Sequence, residues 1–176
     1  HYLKAIKYFE KAISLNPKIP EIWNNMGKVY ASAQVWHGLG SDVTNKKSYH
    51  KSIECFQNAV SIDPKFDEGW RNLGKAYFAK KKFHKAIENF EFIKDYDNII
   101  KCYEEIIDRN PSDIESWNNK GKVFVYKNEI IRAIECFERA LKIDPSDLTA
   151  KNNLEDAYDR KLFGSRSPKD WGDVGN

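Results

Sequence analysis

The residues able to do chemistry are few and scattered. Histidines stand at His1, His37, His50 and His84, with no metal-ligand spacing among them. No nucleophile elbow, phosphate-binding loop or glycine-rich dinucleotide turn occurs. Ser41-Asp42 and Asp95-x-Asp97 lie near turns, where acidic residues are common for local reasons. Neither catalysis, nor a metal, nor a cofactor is therefore expected. The cysteines follow a different rule. Cys55, Cys102 and Cys136 each precede an aromatic residue: Phe56, Tyr103 and Phe137. Three thiols at the same place in separate repeats form neither a disulfide framework nor a metal site. They are expected as buried structural residues, which suits a reducing, cytoplasmic setting.

The elements that would position any site repeat. Trp23-Asn24-Asn25-Met26-Gly27-Lys28-Val29-Tyr30 returns as Trp70-Arg71-Asn72-Leu73-Gly74-Lys75-Ala76-Tyr77, and again as Trp117-Asn118-Asn119-Lys120-Gly121-Lys122-Val123-Phe124, at intervals of 47 residues. Large groups at i, i+3, i+4 and i+7 share one helix face. A glycine inside a helix costs about 0.5–1 kcal/mol against alanine. Three in register predict close helix approach, with Ala or Ser at the contact and an aromatic four residues on. The partners read Ser52-x3-Phe56-x2-Ala59, Ala86-x3-Phe90 and Ala133-x3-Phe137-x2-Ala140, with Ala5-x3-Phe9-x2-Ala12 ahead of them and a bulkier Ile99-x3-Tyr103-x2-Ile106. Asn16-Pro17, Asp63-Pro64, Asn110-Pro111 and Asp144-Pro145 end four of these helices, since proline cannot continue one. Ser112 and Ser146 then stand where an N-cap is wanted.

The composition of the 176 residues suits such a chain: 41% hydrophobic, 14% aromatic and 31% charged. A net charge of +3 is too weak to argue for nucleic acid or an anionic membrane. No apolar run approaches the roughly 18 residues of a membrane span. His1 begins inside a helix that lacks its partner, so the chain reads as a fragment, with an upstream targeting segment left open.

In order, 2–16 reads as the second helix of a truncated repeat. Repeats follow at about 20–64, 67–111 and 114–145, then a polar capping helix at 147–162 and a flexible tail at 163–176. The first long helix is expected over 21–36, broken by Gly38-Leu39-Gly40, with its partner at about 47–61. Residues 83–109 admit two helices broken near Asp95–Asp97, which is preferred, one long helix, or a stretch with residues missing. Trp171 in the tail has two readings: a disordered end, or an anchor seated in a groove.

Trp-x2-Leu-Gly-x2-Tyr, then Ala-x3-Phe, then Pro resembles the tetratricopeptide repeat family from residue 1 to about 162. The resemblance implies an all-α fold: a right-handed superhelical solenoid of antiparallel helix pairs, about nine helices, with a concave groove. In that family the groove is lined by the side of the first helix that here carries Asn24, Asn25, Lys28, Arg71, Asn72, Lys75, Asn118, Asn119 and Lys122. Asparagine pairs donor and acceptor, suiting a backbone amide, and lysine brings a mobile positive charge. Duplicated repeats also duplicate surface residues, so a passive surface stays open. Glu21, Glu68 and Glu115 sit near helix starts, where they complement the helix dipole. The family's carboxylate clamp for chaperone tails finds one match in five positions, Asn72, and is not expected. The expected partner is a protein or peptide of acidic or mixed charge, with no nucleic acid and no membrane. The alternative is a structural piece that self-associates through its open N-terminal helix.

Overall fold

The computed structural model describes residues 2–32 and 42–164. Among them the chain forms nine helices and no strand. They are α1 (Tyr2–Leu15), α2 (Pro20–Ala31), α3 (Asp42–Ile62), α4 (Asp67–Ala79), α5 (Phe83–Phe92), α6 (Tyr96–Arg109), α7 (Ile114–Tyr126), α8 (Ile130–Ile143) and α9 (Leu148–Phe163). They group into two compact units, His1–Asp95 with α1 to α5, and Tyr96–Asn176 with α6 to α9. Within each unit every helix packs on its neighbour in sequence, α1 on α2 through to α5, and α6 on α7 through to α9.

The repeated glycines seat rings. A Cβ on Gly27 would lie 2.6 Å from Cε1 of Phe56, and one on Gly74 would lie 2.6 Å from Cε1 of Phe90. One on Gly121 would collide with Cε1 of Phe137. Those rings are only 1–2% exposed, so they have no room to yield. The close contact is thus helix backbone against an aromatic edge. The Ala or Ser expected there belongs instead to the same core: Ser52, Ala86 and Ala133 are fully buried, at 0% exposure.

The proline turns repeat as closely. The side chain before each proline accepts from the backbone N–H two residues on: Asn16 from Lys18 (3.1 Å), Asp63 from Lys65 (2.9 Å), Asn110 from Ser112 (3.3 Å) and Asp144 from Ser146 (2.8 Å). The indole of the next repeat then bonds the proline carbonyl: Trp23 to Pro17 at 2.8 Å, Trp70 to Pro64 at 2.9 Å and Trp117 to Pro111 at 3.0 Å. Tryptophan thus has a polar reason as well as an apolar one for its place in the motif.

Several sequence expectations change. α2 stops at Ala31, not Trp36. Ser32 is extended (ψ 125°), and its hydroxyl bonds the Val29 carbonyl at 3.1 Å, an alternative to helical continuation. α3 starts at Asp42, earlier than 47. The glycine-rich break at 38–40 and the tail with Trp171 lie outside the described residues. The caps fall one residue beyond the serines. Asp113 accepts from Ser116 N–H (3.4 Å) and Asp147 from Ala150 N–H (2.6 Å), while the Ser146 hydroxyl turns back to donate to Asp144 Oδ1 at 2.6 Å.

Residues 83–109 form two helices, and the break carries neither Gly nor Pro. Lys94 takes φ 54°, and Asp95 N–H returns to the Phe90 carbonyl at 2.8 Å. The same device ends α4 at Lys81 (φ 58°, with Lys82 N–H to Tyr77 at 2.9 Å) and α7 at Asn128 (φ 60°, with Glu129 N–H to Phe124 at 2.8 Å).

Gly74→Leu should lower stability by about 1–3 kcal/mol or more, because the added side chain meets a ring that cannot retreat. A urea denaturation midpoint that stays unchanged would show that Phe90 does yield.

Candidate functional site

Six of the nine candidate groove residues fall in the first unit, on α2 and α4, and three in the second, on α7. In the first unit Asn24, Lys28 and Asn72 build one polar network with Glu68. Asn24 is 1% exposed, and its Oδ1 accepts from Asn72 Nδ2 at 2.9 Å. Lys28 Nζ donates to Glu68 Oε1 at 2.9 Å, with both side chains about half exposed (47% and 50%). The Lys28 ammonium, then the Asn24 and Asn72 side chains, hold the Glu68 carboxyl below its usual range against the opposing effect of burial. Glu68 lies in the first turn of α4, as the dipole reading expects, but it also anchors the lysine of the preceding repeat.

Arg71 turns to Asp95 instead, 3.1 Å away, and Asn25 is half-buried. Lys75 is exposed and has no ion-pair partner among the described residues. Lys28, Asn72 and Lys75 line one concavity of about 290 Å³ together with Ala31, Ala76, Ala79 and the Phe56 ring. Small residues there leave open space beside the two lysines.

The second unit repeats the pattern with changed bonding. Asn118 is 4% exposed and donates to Asp147, the cap of α9, at 3.2 Å. Asn153 stands on α9 where Asn72 stands on α4, yet Asn118 Oδ1 and Asn153 Nδ2 are both buried without a hydrogen bond. Asn119 is half-buried and Lys122 exposed. Lys120 occupies the position held by the buried Met26 and Leu73. It bonds Glu104 on α6 at 3.0 Å.

The cysteines are free and buried, as expected. Burial pushes the thiols of Cys55 and Cys102 up to about 12 and that of Cys136 to about 11, so none is a thiolate nucleophile at neutral pH. Among the described residues no cluster of three or more His, Cys, Asp or Glu could hold a metal. No described helix is long and apolar enough to cross a membrane.

Residues 114–147 match the tetratricopeptide repeat family, as do 1–19, and residues 42–81 match its TPR repeat description. Together these spans take in more than half of the chain. The chain belongs to the tetratricopeptide repeat family. Proteins of this family are interaction scaffolds built from helix pairs. No curated protein matches the sequence significantly. Among solved structures the chain is similar to MamA, with 21% identity over 93% of this chain and 80% of that one, at a TM-score of 0.41. It is also similar to the human IFIT1 dimer with PPP-AAAA, at 19% identity over 83% of this chain and 45% of that one, with a TM-score of 0.48. For the APC/C hetero-tetramer Cut9-Hcn1 the figures are 22%, 89%, 26% and 0.37.

Glu68, Asp95 and Asp147 escaped the sequence reading as partners of the candidate groove residues, as did Glu104 as the partner of Lys120 and Asn153 as the counterpart of Asn72. The only signal was periodic for Glu68 and Asn153, which recur with the repeat. For the others the bond joins elements whose approach the sequence does not state.

Two outcomes follow. Asn72→Ala should cost about 1–3 kcal/mol, because it strands the buried Asn24 oxygen. Asn153→Ala should cost clearly less, since no bond is lost there; equal losses in denaturation midpoint would contradict this. Second, a carboxyl held low stabilises above its ordinary value of about 4.3 and loses that contribution as pH falls through the folded value. For this half-exposed pair the contribution is at most about 1 kcal/mol. Between about pH 6 and pH 3 the parent should therefore lose more stability than Glu68→Gln; parallel pH curves would remove Glu68 from the network's energetics.

Proposed function

We propose that the chain holds an extended or helical segment of a partner protein in the groove of its first unit, with the segment acidic or of mixed charge. The observation that carries this reading is the meeting of Lys28, Asn72 and Lys75 around one concavity that three alanines also line. The alanines accept an apolar side chain, and Lys75 supplies a cation whose charge no carboxylate of the described chain takes up. Asn119 and Lys122 repeat the same residue types within the second unit. Binding, not catalysis, fits a site without an activated nucleophile. A role in a reducing, cytoplasmic setting agrees with three buried thiols.

A second reading has its own observation. On α1 Tyr8 is 63% exposed and Leu15, two turns on along the same face, is 78% exposed, which leaves apolar side chains for stacking on another copy or on a neighbouring domain. In that reading the chain is an assembly segment without a dedicated peptide ligand.

A peptide array read with the parent and with Lys75→Glu separates the two. The groove reading expects a preference for acidic sequences, weakened by added salt, and about tenfold or more weaker binding in the variant. No charge preference, or tighter binding to an RNA pool, would overturn it.

A further inference from the structure

The turn from α4 into α5 and the turn from α7 into α8 are copies 47 residues apart, alike in backbone and unlike in charge. Each passes through the left-handed region, Lys81 at φ 58° and Asn128 at φ 60°. In the later turn one carboxylate ties the charges together. Glu129 bonds Lys127 and Arg132, each at 2.7 Å, and Asp97 of α6 also meets Lys127 at 2.7 Å. In the earlier turn Lys80 stands for Lys127, Lys82 for Glu129 and Lys85 for Arg132. The group that joined two cations is here a cation itself.

Nothing local takes its place. From Gly69 to Ile87 the sequence holds no Asp or Glu. Glu88, a turn past His84 and Lys85, is the first carboxylate on α5, and on α3 the nearest, Glu54, has Lys51 one turn before it. Lys80, Lys81, Lys82 and Lys85 have no ion-pair partner among the described residues. Lys80 is half-buried and the other three are exposed, as is His84. Four lysines thus face one carboxylate. The fold does not ask for them. Asparagine suits the left-handed backbone better than Lys81 does, and a helix start favours a carboxylate where Lys82 and Lys85 stand. α5 has neither an acidic residue in its first turn nor a side-chain cap.

We propose that this turn is a docking surface for a short run of Asp or Glu in a partner protein, which supplies the carboxylates that Glu129 supplies in the later turn. The surface spans one helix-to-helix turn, about 10 Å, the reach of three or four extended residues. Lysine heads on flexible stems meet such carboxylates without a fixed direction. A nucleic acid strand finds less here: the turn has no arginine, and its rings are turned inward, Phe83 being buried with Phe78 edge-on to it at 5.4 Å. A lipid surface finds no large exposed apolar side chain among residues 75–87. Lys80, Lys81, Lys82 and Lys85 do not line the concavity of the groove, so this site does not rest on that reading.

The test is a nuclear magnetic resonance titration of the ¹⁵N-labelled full chain with a blocked hexaglutamate peptide at low ionic strength. Saturable shifts are expected at the amides of residues 80–86, with the matched turn at 127–133 shifting less. Lys81→Asn, Lys82→Glu installs the residues of the later turn. That variant should bind about tenfold or more weakly, with its other amide signals intact and a melting midpoint no lower than the parent's. Lys75→Glu, in the groove, should leave the shifts at 80–86 in place, which separates this site from the groove. Absence of saturable shifts at millimolar peptide, equal response of the two turns, retained affinity or a lowered midpoint in the double variant, or loss of the 80–86 shifts in Lys75→Glu would each overturn the proposal. So would tighter binding of a hexauridine RNA or of phosphatidylserine vesicles at this turn.

Discussion

Everything in this chain hangs on a ring lying against bare backbone. Phe56, Phe90 and Phe137 each press an edge onto the glycine of the adjoining helix, so closely that one methyl group would not fit. The contact fixes the separation of the two helices and the register between them. Ser52, Ala86 and Ala133, one turn before each ring, are small enough to stay out of its way and are completely buried. The helical cost of glycine is offset by the dispersion contacts of a buried aromatic ring.

The second constraint is polar and acts between repeats. Proline ends a helix, the Asx side chain before it closes the turn, and the proline carbonyl left behind accepts the indole of the next repeat. One residue triplet thus stops one helix, turns the chain and locates the next. Because each bond is local to its turn, the repeats can be copied with different surfaces while the frame stays constant. The surfaces do diverge: Lys28 and Arg71 are engaged by Glu68 and Asp95, while Lys75 is not.

That divergence separates frame from function. Asn24 and Asn118 are the same letter in the same place, yet one bonds the asparagine of the next repeat and the other bonds the cap of α9. Leu73 and Lys120 share a position, yet one fills a core and the other reaches Glu104. A binding surface built on identical repeats acquires its specificity at such places, where packing no longer dictates the residue.

The sequence by itself determined the helices, their pairing and the family, because the Trp–Gly–Tyr and Ala–Phe–Pro positions are read by short-range geometry: one helix face, one turn, one proline. It also determined that the thiols are buried, since each sits beside a core aromatic. Only the tertiary structure decided where α2 stops, because a serine hydroxyl competing for a carbonyl leaves no strong periodic mark. It alone decided the break at Lys94, where an ordinary lysine takes a left-handed conformation that sequence rules reserve for glycine. And it alone decided which groove side chains are engaged. Whether Lys28 meets Glu68, 40 residues away, depends on how closely two helices approach, and that distance is set by the buried rings beneath them and not by any property of the lysine.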